Sequence, residues 1–129
     1  MPAIVVPQST LNRFKKVSAA TVWSAVRRMG SPKCFMEEVY PMTPGRRLAA
    51  RARTLRMLPL RPDLQAELGS GEQAPVYQAM DACKRGDVLV VDTMRMPYST
   101  ALGDVRLLQL QMQKADGLVT DGAIATLMW

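Results

Sequence analysis

A continuous aliphatic run, Val88-Leu89-Val90-Val91, stands between Gly86-Asp87 and Asp92. Unbroken β-branched and aliphatic runs of this length mark strands covered on both faces, and such strands are usually parallel. A polar loop with Pro97 follows. Residues 103–112 then place Val105, Leu108 and Met112 at helical spacing, which predicts a helix with one apolar face. Gly117 is expected to end it, and Leu118-Val119 to begin a second apolar strand closing at Asp121-Gly122. Strand, helix and strand at this spacing predict a right-handed βαβ unit. Ligands of open parallel sheets sit outside the carboxyl ends of the strands, which here carry Asp92, the 93–104 loop and Asp121-Gly122.

The rest of the chain is read the same way. Residues 1–17, with Pro2 and Pro7, show little periodicity and predict an extended arm. Ser18 is a candidate N-cap for a helix whose Val22, Val26 and Met29 share one face beside Trp23, with Arg27 and Arg28 in its last turn and Gly30 as the stop. From Ala50, small residues (Ala50, Ala52, Thr54) alternate with Arg51, Arg53 and Leu55, which predicts a strand with a small-residue face packed closely by a helix. Residues 59–75, with three prolines and two glycines, predict a loop. Pro75 then opens a helix through Val76, Ala79, Met80 and Cys83, closed by Lys84-Arg85-Gly86.

At 129 residues, 48% of them hydrophobic and 22% charged, the composition is that of one globular domain, expected to span 1–129. No apolar run approaches the ~20 residues of a membrane span, and the N-terminus lacks a signal-like segment, so a cytoplasmic location is expected. Cys34 and Cys83 form neither a CxxC nor a zinc spacing and are expected to be buried thiols. The absence of histidine changes the picture more. It excludes Ser-His-Asp and Cys-His nucleophilic sites, HExxH zinc sites and imidazole bases. Any metal would be a hard cation held by carboxylates and water.

The net charge of +6 favours acidic partners without choosing among them. Arg46, Arg47, Arg51, Arg53, Arg56 and Arg61 make the most basic stretch. A solvated strand face or subunit contact is expected over a nucleic-acid surface, because no aromatics interleave to stack bases. The lysines all sit in polar surroundings, which argues against a Schiff-base aldolase. Asp104, just after Gly103 where a helix begins, could bound an anion cradle or serve as a first-turn charge. Asp121 before Gly122, and Asp92 at its strand end, are candidates whose competing role is turn formation.

The GDVLVVD strand (86–92), the loop into Ala101-Leu102-Gly103-Asp104, and the GLVTDGAI strand (117–124) together resemble the RraA-like superfamily. It contains the metal-dependent 4-hydroxy-4-methyl-2-oxoglutarate aldolases, often labelled demethylmenaquinone methyltransferase-like. Pro44-Gly45-Arg46, Ala52-Arg53-Thr54-Leu55 and the N-terminal helix match the family pattern too, so the resemblance covers most of the chain. It implies an α/β fold with a mostly parallel sheet, like the family's layered β/β/α swivelling domain. It also implies a class II lyase that cleaves 2-oxo acids to pyruvate or decarboxylates oxaloacetate with Mg2+ or Mn2+, and a homotrimer or hexamer with no membrane association. On this resemblance the backbone at Ala101, Leu102, Gly103 and Asp104 holds the substrate carboxylate, and Asp104 supports the metal's water shell. A branch of the superfamily binds and restrains a ribonuclease, which gives a non-catalytic alternative.

The pattern departs after DGAI. Family members carry Arg-Asp there, the arginine for the keto acid and the aspartate as direct metal ligand; here Ala125 and Thr126 stand in those places, and the sequence ends at Trp129. Residues 125–129 can be encoded GCG ACC CTG ATG TGG, and one C restored ahead of them gives Arg-Asp-Pro-Asp-Val. The expectation is therefore a frameshifted relative lacking its C-terminal part, marginally stable and impaired as an aldolase.

Overall fold

Pro7, in an extended conformation, opens a helix that residues 1–17 do not announce: α1 spans Gln8–Phe14 and buries Leu11. This is a correction to the expected extended arm. One buried leucine in seven residues leaves no periodic stripe for sequence reading to find. The computed structural model describes residues 5–125. Thr126 and the 126–129 stretch, on which the expected direct metal ligand and the shifted reading frame fall, lie outside the described residues. The chain divides into two compact units, Met1–Ala49 and Ala50–Trp129.

In the first unit, α2 (Ala19–Arg28) starts as expected. The Ser18 hydroxyl accepts the Thr21 N–H at 3.2 Å, meeting one of the donors a helix start leaves without a partner. Gly30 stops it at φ 97°, where Gly30 N–H donates to Arg27 O and Ser31 N–H to Val26 O. Arg27 lies over the Trp23 ring at 5.4 Å, a cation–π contact at an exposed site. Met29 is exposed, so the stripe is shorter than its spacing suggested. Cys34 is exposed as well, against the expectation of burial; residues 29–42 form no helix or strand that would cover it.

The second unit is built on a three-stranded parallel sheet in the order β1-β2-β4, with β1 at Arg51–Arg56, β2 at Asp87–Asp92 and β4 at Gly117–Thr120. The central strand is the aliphatic run. Leu55 pairs with Val91, and Leu89 with Leu118, so these four side chains share one face. That face receives Met80 and Cys83 from and just after α4 (Pro75–Asp81), and Leu110 from α5 (Asp104–Met112). Met80 and Leu89 are wholly buried, each burial worth about 1.5–3 kcal/mol. Burial raises the Cys83 thiol pKa, and the Asp87 charge adds to that effect.

Four sequence expectations need correction here. The small-residue face of β1 is not packed by a helix: Ala52 and Thr54 are exposed, while Leu55 on the arginine-bearing face joins the core. The 59–75 loop contains α3 (Pro62–Leu68), begun by Pro62 at a position where a missing N–H costs nothing, with Asp63 in its first turn. Val105, Leu108 and Met112 face outward and are 72%, 57% and 74% exposed. The core side of α5 is Leu107 and Leu110, while Gln109 and Gln113 reach across to Asp81 of α4. Finally, α5 ends before Gly117: Lys114 takes the left-handed position at φ 60°, and Gly117 begins β4.

The polar loop after β2 also holds an element the sequence did not announce. Here β3 (Thr100–Leu102) pairs in parallel with β5 (Ala123–Ile124). All the strand pairings described are parallel, as expected for an α/β layered fold. Among the described residues no helix is long and apolar enough to cross a membrane.

Candidate functional site

The carboxyl ends of β2 and β4 bring Asp92, Thr93 and Asp121 together. Asp92 is committed to structure: its Oδ2 accepts Arg56 Nε at 2.7 Å and its Oδ1 accepts the Met94 N–H at 2.8 Å. Asp121 is committed more deeply. Oδ1 accepts the Thr93 N–H at 2.7 Å and the Thr93 hydroxyl at 2.8 Å, and Oδ2 accepts the Arg95 N–H at 2.8 Å. The loop reaches this geometry because Met94 and Arg95 are both left-handed, at φ 58° and 59°. The Thr93 and Arg95 N–H groups turn to Asp121, while the Met94 N–H between them turns to Asp92. The Thr93 N–H first, then the Arg95 N–H and the Thr93 hydroxyl, hold the Asp121 carboxyl below the usual carboxylate range against the opposing effect of burial.

Gly122 permits the close approach. A Cβ there would lie 2.6 Å from Thr93 Cγ2 and 2.7 Å from Ser99 O. Sequence reasoning marks Asp121-Gly122 as a turn but gives no sign of Thr93, which is an ordinary polar residue after a strand until the fold sets it, 3% exposed, against Asp121.

Asp104 is the first residue of α5, and its Oδ1 accepts the N–H of its neighbour Val105 at 2.8 Å. The acid therefore folds back over the helix start and takes one of the amides an incoming carboxylate would use. Gly103 has open space where a Cβ would be, so nothing crowds this approach. Ala101 and Leu102 are fully buried, backbone included, and the Leu102 carbonyl accepts the Ala125 N–H at 3.1 Å.

Among the described residues no three acids or cysteines gather closely enough to hold a metal ion. These residues do not fit a centre with several direct protein ligands. They fit Mg2+ or Mn2+ only in the looser manner in which one carboxylate supports a cation whose shell is otherwise water and substrate. Clefts of about 400 and 670 Å³ occur in the first unit around Trp23, and neither is lined by a residue of the strand-end site.

The basic stretch is resolved into pairs. Arg51 Nε and Arg53 Nε bond to Asp87 at 2.7 and 3.2 Å, Arg56 to Asp92, Arg61 to Asp63, and Arg47 to the Val17 carbonyl. Four of these six arginines thus face carboxylates of their own chain.

A parallel sheet carrying its acids at the strand ends, with GDVLVVD on β2 and DGAI running from the end of β4 into β5, is matched by a family model described as RraA-like, Aldolase/RraA, over residues 19–125. The chain belongs to the RraA-like family. That family takes in both aldolase and RNase inhibitor members. A crystal structure of RraAS2 from Streptomyces coelicolor, described as an unusual member of the RNase ES inhibitor RraA protein family, matches with a TM-score of 0.79 at 22% identity. The match covers 93% of this chain and 57% of that one, so this chain spans little more than half the length of the RraA-like structure it resembles. At this identity the likeness concerns the fold. No curated protein matches the sequence. Within this RraA-like chain, Asp104 at the start of α5 accepts the N–H of its neighbour Val105, and no ion pair to it is seen among the described residues.

Proposed function

We propose that this chain binds small 2-oxo acids such as pyruvate and oxaloacetate, on the pyruvate aldolase and oxaloacetate decarboxylase side of its family, with turnover impaired. The observation that supports this is the position of Asp104. It is an exposed acid at the start of α5, beside first-turn amides, where Asp92 and Asp121 are already occupied. A substrate carboxylate would displace Asp104 Oδ1 from the Val105 N–H and lie along the positive helix end. Mg2+ or Mn2+ supplies polarisation of the 2-keto group when bound. The chain's own described residues bind and orient the acid, and no bond-breaking step follows from them.

Calorimetric titration of oxalate and pyruvate, with and without magnesium, tests this reading. Weak oxalate binding with a magnesium-dependent component lost in Asp104→Ala is expected, together with pyruvate release from oxaloacetate no faster than in buffer. Identical heats for wild type and variant would overturn it.

A second reading is a non-catalytic regulator that binds a ribonuclease, and the outward face of α5 favours it. Val105, Leu108 and Met112 form an exposed apolar stripe with the spacing of a buried one, a pattern that suits a partner surface or a subunit contact in a homotrimer or hexamer. Inhibition of an RNase ES-type nuclease by the wild type, lost in Leu108→Glu, is the outcome that would replace the first reading with this one.

A further inference from the structure

The carboxylate of Asp121 does not do what an Asp-Gly turn former does. A turn-forming aspartate bonds backbone within a few residues of itself. The Asp121 oxygens instead reach residues 28 and 26 positions away, Thr93 and Arg95. All three donors are backbone N–H or hydroxyl groups, and among the described residues no guanidinium or ammonium group is seen on this carboxylate. It therefore sits in the loop as an anion held by two backbone amides and one hydroxyl.

The residues that follow extend the same fastening. Gly122 packs against Thr93 and Ser99, Ala123 N–H donates to Ser99 O at 2.9 Å, and Ala125 N–H donates to Leu102 O at 3.1 Å. The stretch 121–125 thus straps the 93–99 loop and β3, which lead directly into Gly103 and the first turn of α5.

We propose that Asp121 is the positioning residue of the strand-end site, its carboxylate serving as a built-in anion around which the 93–99 loop folds and from which the start of α5 takes its place. The inference rests on the reading of that site as a carboxylate-binding one. It goes beyond it by assigning the geometry of the site to a residue that touches no ligand. Met94 and Arg95 hold left-handed conformations that ordinary side chains adopt rarely, and the Asp121 bonds offset the cost of keeping them there.

Arg95 supplies the readout. Trypsin needs an extended segment, so cleavage after Arg95 requires the loop to open locally, while cleavage after Arg53 requires β1 to leave the sheet. In Asp121→Ala and Asp121→Asn the rate of cleavage after Arg95 should rise about tenfold with cleavage after Arg53 unchanged. Formate in excess should slow the Arg95 cut in Asp121→Ala, where it replaces the missing carboxylate. It should have no effect in Asp121→Asn, where the amide fills the space.

An unchanged Arg95 cut in both variants would overturn the proposal. So would an equal rise at Arg53 and Arg95, which marks a residue needed only for folding, or formate acting alike on both variants. Oxalate titration of the wild type separates the two ideas: absence of binding removes the carboxylate site and leaves the loop measurement to stand or fall by itself.

Discussion

Arg51 Nε donates to Asp87 Oδ1 at 2.7 Å across a sequence separation of 36 residues. Asp87 is wholly buried at the start of β2, and its second oxygen accepts Arg53 Nε at 3.2 Å and the Lys84 N–H at 3.3 Å. The first and third residues of β1 are thereby tied to one acid on the strand beside them. Two cations sharing a single buried carboxylate make that acid hard to replace.

Asp87→Ala is expected to cost about 3 kcal/mol, because it strands two guanidinium groups at a partly buried site. Asp87→Asn should recover only part of this, since the amide keeps one acceptor and loses the charge. Urea unfolding followed by circular dichroism measures both, with the slope unchanged if only stability has moved.

Acid stability follows from two carboxylates. Burial opposes ionisation of Asp87, and Arg51 and Arg53 overcome it and hold the group below its usual range; Asp121 is held low by Thr93 and Arg95. A carboxyl lowered on folding stabilises the protein above its unfolded value of about 3.9, and that contribution is lost as pH falls through the folded value. Stability should therefore decline below about pH 4. The chain has no histidine, so no histidine step should appear between about pH 5 and 8. A pronounced fall near pH 6 would contradict this assignment.

Leu110 and Leu108 lie two residues apart on α5 and should behave differently. Leu110, 4% exposed, belongs to the core, and Leu110→Ala should cost about 2–4 kcal/mol. Leu108, 57% exposed, should accept Ala or Glu within about 0.5 kcal/mol in the monomer. Thermal unfolding of the two alanine variants side by side checks the orientation of the helix directly.

Gly122→Ala should destabilise by about 1–3 kcal/mol, because the new methyl meets Thr93 Cγ2 and a backbone oxygen that cannot turn aside. Adding Thr93→Ala should recover only part of the loss, since Ser99 O remains 2.7 Å from the Cβ position. A double-variant cycle on unfolding free energies gives the coupling.

How far the sequence showed these features depends on the range of the interaction involved. β2 and the start of the helix opened by Pro75 are set by local pattern and fall where the spacing placed them, although the helix ends at Asp81, before Cys83. The outward stripe on α5 misleads because periodicity reports that a helix is amphipathic, not which neighbour its apolar side meets. β3 and β5, at three and two residues, are too short to carry alternation and exist only through their pairing. Asp104 and Asp121 were visible as candidates from their glycine neighbours. That Asp121 serves Thr93 and Arg95 was not, since a contact 28 residues distant leaves no mark in either local stretch.

The long separation between β1 and its partner also bears on the order of events as the chain is made. β1 leaves the ribosome with 30 residues between its last position, Arg56, and the first position of β2, Asp87. During that interval it is an orphan strand whose backbone could pair with any exposed edge. Three of its six residues are arginines, RARTLR, whose mutual repulsion discourages two such segments on neighbouring chains from joining. The acids that cancel this repulsion, Asp87 and Asp92, stand at the two ends of the correct partner. The charges that guard the waiting strand are released by the strand it waits for.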